Sequence, residues 1–175
     1  MNEEESTSET NSIIKEFNKY LYELYKTNNG KNTEETMKIT SSFHCIVQPD
    51  FAIESYIKNI IKKLELDKDE YSDDLYVFTM HIIIYLNRII DNGYKLNNYN
   101  LHRLIATIML ISHKIINDKP YDNETWCNFC GVKDINLMEI QILEYLDFRL
   151  FISIDDLDEV FKKIREIYNN NKIIK

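Results

Sequence analysis

A chain of 175 residues with 44% hydrophobic side chains is large enough to bury a core as one domain. Only three glycines and two prolines leave too few turn-formers for a many-stranded sheet, which points to an all-α fold. The formal net charge of -8, with Lys and Arg scattered along the chain, repels polyanions and excludes nucleic acid and anionic membrane as expected partners.

Residues 1–11, beginning MNEEESTSET, are acidic and polar and read as a disordered tail. They hold no apolar stretch of the kind a signal peptide or anchor needs, so the expected location is inside the cell, cytoplasm or nucleus. An amphipathic helix is predicted from Ser12 to Lys26, with Ser12 as N-cap and Ile13, Ile14, Phe17, Leu21, Leu24 and Tyr25 on one stripe. A polar connector, TNNGKNTEETMK, carries the chain through residue 42.

Five apolar-periodic segments follow between residues 43 and 152. The first runs from Asp50, after Pro49, to Leu66, with Phe51, Ile53, Ile57, Ile60, Ile61 and Leu64 inward. DDLYVFTMHIIIYLNRIIDNG is apolar on nearly every face and ends at a capping glycine, Gly93, so it must lie between other helices. The third, from Asn98 to Asp118, has an apolar centre of about 13 residues, too short to span a bilayer, and is expected to be the most buried helix. DNETWCNFCG starts at a capping candidate, Asp122 or Asn123, and stops at Gly131. DINLMEIQILEYLDF carries Ile135, Leu137, Met138, Ile140, Ile142, Leu143 and Leu146. Residues 153–175 form a last helix and tail, opened by a Ser153 to Asp156 capping pattern with Asp in the usual place of Glu or Gln.

Catalytic and metal chemistry find little support. CNFC at 127–130 has the spacing of half a zinc site, and His44 and Cys45 could in principle add two ligands. Adjacent His and Cys rarely chelate together, however, and helical i,i+3 cysteines commonly serve as small buried hydrophobes. An odd number of cysteines in a reducing compartment argues against a disulfide framework. His102 and His113 fall roughly 16 Å apart along one helix and cannot share a metal. The acidic LDKDEYSDD lacks the spacing and glycine of a calcium loop. No P-loop, GxGxxG, HExxH or GxSxG sequence occurs, so no cofactor, no metal and no enzymatic activity are expected. The one charge without an obvious place is Lys114, which closes the third segment's apolar run. It either snorkels to water or meets Glu139 of the fifth segment at one end of the bundle, leaving spare donors and acceptors to grip a partner's backbone.

The chain resembles the cyclin box, specifically that of the P-type, or U-type, cyclins, over residues 43–152 with the preceding helix in register. The resemblance is carried by the FHC at 43–45 with Pro49, IYLNRII at 84–90, LHRLIATIMLISHKIIND at 101–118, YDNETWCNFCGV at 121–132 and INLMEIQILEYLDFRLFIS at 135–153. It implies a single five-helix box, with an extra helix before and after it, that binds and activates a cyclin-dependent Ser/Thr protein kinase without catalysing anything itself. The lysine and glutamate matching Lys114 and Glu139 contact the kinase in that family, near its mobile αC helix, and Asn136 would brace Glu139. His102, Arg103, Tyr121 and Trp126 are assigned to packing and capping. Asn87 departs from the family, which has an aspartate there paired to an arginine of the first box helix; Lys58 is the candidate counterpart. An amide at 87 keeps a hydrogen bond while removing a buried charge. No substrate-docking motif is recognisable in SYIKNIIKK, and no second box fits after Leu150. The alternative within the same fold is a helical scaffold or transcription adaptor that activates no kinase.

Overall fold

The computed structural model describes residues 8–28 and 42–172; the tail before residue 8, the connector over 29–41 and the last three residues lie outside the described residues. The described residues form seven α-helices and no strand: α1 (Glu9–Asn28), α2 (Ile53–Lys63), α3 (Ser72–Asp91), α4 (Leu101–Ile116), α5 (Asn123–Cys130), α6 (Ile135–Tyr145) and α7 (Ile154–Lys172). Helices α2 to α6 are the five of the expected box, and α1 and α7 flank it.

The arrangement follows from which helices can face water. Helix α4 buries Leu101 and every residue from Leu104 to His113, so it has no solvent face over that run. It is surrounded by α3, α6, α2 and α5. Helix α3 is the next most enclosed and lies between α4 on one side and α1 and α7 on the other. Helix α1 is one-sided: Ile14, Phe17, Tyr20 and Leu21 are buried, while Tyr22 is exposed.

Two helix starts differ from expectation, each for a non-local reason. Helix α1 begins at Glu9, not Ser12, so residues 9–11 of the expected tail are helical. The Ser8 hydroxyl accepts from the Asn11 amide at 3.3 Å, and buried Thr10 donates its hydroxyl to the Asp67 carbonyl at 3.2 Å and to Asp69 Oδ1 at 3.0 Å. These bonds to the segment after α2 pin a first turn that propensity alone would leave frayed. Helix α2 begins at Ile53, not Asp50, because the Phe51 carbonyl accepts from His102 Nε2 at 3.0 Å and Ala52 is extended. Phe51 is therefore outside the helix and 48% exposed, with its ring edge-on to His102, rather than inward. The helix ends at Lys63, short of Leu66, as Glu65 turns left-handed and the Leu66 amide reaches back to the Ile61 carbonyl.

The locally encoded ends match expectation. Gly93 and Gly131 both take positive φ after α3 and α5, where a side chain would be strained. Asp122 caps α5 by accepting from the Thr125 amide at 2.7 Å. At α7, Asp156 Oδ2 accepts from the Ser153 amide and hydroxyl at 2.7 and 2.6 Å, and the Ser153 hydroxyl accepts from the Asp156 amide at 3.2 Å. Asp therefore closes the reciprocal cap as Glu would. Its other oxygen takes Arg88 at 2.8 Å, and the same guanidinium donates to the Arg149 and Phe151 carbonyls. Burial raises the Asp156 carboxyl's pKa, but the bonds from Ser153 and Arg88 outweigh it and hold the value down to about 2.

Three histidines are built into the packing. His81 bonds the Val77 carbonyl, His102 that of Phe51, and His113 accepts the Tyr121 amide while stacking on the Tyr121 and Trp126 rings. Burial lowers the pKa of all three, against a smaller opposing effect of the carbonyls at His81 and His102. The folded chain then binds fewer protons than the unfolded chain at and below the unfolded imidazole value of about 6.5. Stability is thus full above that pH and falls as pH drops through it. Urea midpoints measured from about pH 7.5 down to about pH 5 should decline steadily; a flat profile would mean that these rings are solvated. A second expectation concerns α1. Phe17→Ala, at a site 3% exposed, should cost about 3–5 kcal/mol in a denaturant melt, whereas Tyr22→Ala should cost less than about 0.5 kcal/mol.

Candidate functional site

The buried run of α4 ends at His113, and Lys114 is the first side chain past it to reach the surface. It stands in the last turn, where the helix's unpaired carbonyls carry partial negative charge that favours a cation. Its Nζ lies 2.6 Å from Oε1 of Glu139 on α6, with 31% of the lysine side chain and 17% of the glutamate side chain exposed. The structure therefore brings together the two residues singled out in the sequence.

The other carboxylate oxygen is held from a third helix. Asn123, the first residue of α5, donates its amide nitrogen to Glu139 Oε2 at 2.8 Å and to Asn136 Oδ1 at 2.5 Å. Asn136 thus joins the group through Asn123 and makes no direct bond to Glu139. Sequence reading placed Asn123 only as a capping candidate; Asp122 does the capping, which frees the Asn123 side chain for the site. The one available signal was a second polar side chain directly after a competent cap.

The same helix ends also carry exposed apolar side chains: Leu137 and Ile140 of α6 are 51% and 52% exposed, and Ile115 of α4 is exposed too. Leu137 and Ile140 belong to the expected apolar set of α6, yet only Ile135, Met138 and Ile142 of that helix are buried. A bonded, part-buried charge pair with exposed apolar side chains on the same two helices suits a protein partner, with apolar contact for affinity and charged hydrogen bonds for register.

Asn87 lies elsewhere. Its amide donates to the Ile83 carbonyl at 2.8 Å, and its oxygen accepts from the Tyr20 hydroxyl of α1 at 3.2 Å. It braces the α1–α3 interface and has no bond to the Lys114 group. Lys58 is exposed on α2 and is not its counterpart. The amide's partner is a phenol, so that contact carries no ion pair.

The remaining singled-out residues are structural. Trp126 is fully buried and donates Nε1 to the Ala106 carbonyl at 3.0 Å. Arg103 donates to the Ser42 and Lys133 carbonyls, tying the entry to the box and the α5–α6 connection to α4. His44 stacks on Tyr99, and the Cys130 thiol donates to the Trp126 carbonyl at 2.9 Å. Burial pushes the Cys45 and Cys130 thiols up, away from the reactive thiolate. Among the described residues no three His, Cys, Asp or Glu side chains gather where a metal could be held, and no helix is long and apolar enough to cross a membrane.

Comparison with known proteins agrees with this architecture. The family model described as Cyclin matches residues 2–150. Cyclin-U4-3 of Arabidopsis thaliana is 28% identical over 147 residues, 82% of this chain and 62% of that protein. Cyclin-U1-1 of the same plant is 30% identical over 128 residues, 71% of this chain and 57% of that protein. The PHO85 cyclin-like protein psl1 of Schizosaccharomyces pombe is 25% identical over 128 residues, 70% of this chain and 49% of that protein. The chain spans roughly half to three fifths of the length of these relatives. An all-helical box with this family match leaves one assignment: the chain belongs to the cyclin family and groups there with the U-type, or P-type, cyclins.

Proposed function

We propose that the chain is a regulatory subunit that binds a cyclin-dependent Ser/Thr protein kinase and stabilises its active conformation, in cell-cycle or nutrient control inside the cell. The observation that carries this is the Lys114–Glu139 pair at 2.6 Å, bridging α4 and α6 and still reached by solvent. In the cyclins that this chain resembles, the matching lysine and glutamate contact the kinase near its αC helix. One relative is named a PHO85 cyclin-like protein, which supports the same reading. The mechanism needs no chemistry from the chain itself. A partner that binds only the active arrangement of the kinase shifts the population toward it by its differential affinity.

The test has two stages. Affinity capture with the wild-type chain, followed by mass spectrometry, should recover a cyclin-dependent kinase, which is then expressed and titrated. Lys114→Glu and Glu139→Lys should each weaken binding by roughly 30-fold to several thousand-fold, since removing one partner of an interfacial charged pair costs about 2–5 kcal/mol. Lys58→Glu, exposed on α2, should bind like the wild type. A Lys114→Glu protein that melts normally and binds unchanged would return that lysine to a snorkelling surface charge. Binding without a rise in kinase activity would favour the scaffold reading.

A further inference from the structure

We infer that Asn123 is a positioning residue for the kinase grip: from the start of α5 it holds Glu139 in the one orientation that both pairs with Lys114 and leaves the pair open to a partner. This rests on the kinase-docking reading of Lys114 and Glu139.

The direction of the amide is fixed by its surroundings. Glu139 Oε2 only accepts hydrogen bonds, so the nitrogen must point toward it, and Asn136 presents its oxygen to the same nitrogen. The carboxylate is therefore divided between two helices, with Oε1 on Lys114 of α4 and Oε2 on Asn123 of α5. A glutamate held at one oxygen can still rotate; held at both, it is set before any partner arrives. Asn123 can do this because its own backbone is fixed by the Asp122 cap before it and by the buried Trp126 three residues on.

The arrangement also carries a cost. The Asn123 side-chain oxygen is buried and has no hydrogen-bond donor. A buried acceptor left unbonded is destabilising, and native folds carry few of them. The α5 start would not incur that loss with serine at the same place. What offsets it is the donor that Asn123 supplies to Glu139, which lies on the partner-facing side of the molecule.

The test replaces the donor by an acceptor of the same shape. Asn123→Asp sets a second carboxylate against Glu139 while leaving the start of α5 favourable, since acidic residues suit a helix's first turn. Binding of the kinase recovered with the wild-type chain should fall at least about tenfold, with the melting temperature kept. Adding Glu139→Gln gives position 139 an amide that donates to the introduced carboxylate and still offers an oxygen to Lys114. The double variant should bind better than Asn123→Asp alone, by about threefold or more. Asn123→Ala, which only removes the donor, should weaken binding by about three- to tenfold and serves if the aspartate variant melts early.

Wild-type affinity in Asn123→Asp or in a folded Asn123→Ala protein overturns the inference, as does a double variant weaker than Asn123→Asp. If Lys114→Glu also binds unchanged, the docking reading fails with it. If Lys114→Glu weakens binding and the Asn123 variants do not, the positioning role alone fails.

Discussion

Ten consecutive residues of α4, Leu104 to His113, are closed off from water on every side. A helix can be enclosed in this way only if other helices cover its whole circumference, and that requirement places α3, α6, α2 and α5 around it. The same enclosure sets conditions on its polar atoms. Thr107 turns its hydroxyl back to the Arg103 carbonyl, and His113 is met by the Tyr121 amide. Ala106 is small enough to let the Trp126 indole reach its carbonyl. The position of the docking pair then follows, because past His113 the cover thins enough for water to reach a charge, while α6 still supplies Glu139 to pair with it.

What could be read from the chain divides by the range of the interactions involved. The all-α class rested on composition and period, and the glycine ends of α3 and α5 and the Ser153–Asp156 cap rested on residues a few positions apart. These were legible because the partners are sequence neighbours. The start of α1 depends on Thr10 meeting Asp67 and Asp69, and the start of α2 on the Phe51 carbonyl meeting His102. Neither contact has a local signature. The site divides in the same way. Lys114 announced itself as a charge ending an apolar run, Glu139 was the acid set against it at one end of the bundle, and the resemblance to cyclins gave the pair a kinase-binding role. Asn123 looked like a cap, and only the folded chain shows it bridging to Glu139. Leu137 and Ile140 fit the apolar composition of α6 but face outward, which periodicity on so uniformly apolar a helix could not distinguish.

Two of the polar ties that bind the flanking helices to the box are built on opposite electrostatic terms. Helix α1 is joined through Tyr20 and Asn87, both buried and both neutral, so the contact brings no charge out of water. Burial raises the Tyr20 phenol's pKa, which keeps it protonated and able to donate. Helix α7 is joined through Arg88 and Asp156 near the rim, where water still reaches both side chains and a full ion pair is tolerable. The replacement of an expected ion pair by an amide at position 87 is in keeping with the depth of that site.

Arg88 has a further mechanical meaning. Its planar fork holds two carbonyls of the segment entering α7 and the carboxylate that caps that helix. One side chain thereby seats the root of a 19-residue helix, about 28 Å long, whose next turns lie against α3 and α1 with Val160 buried. Arg88 works as the hinge pin at the end of that seam, fixing where the contact begins while apolar packing carries it onward. Lysine at position 88 would keep the charge but supply a single point of attachment, so the seam would start less sharply while its packing still held it.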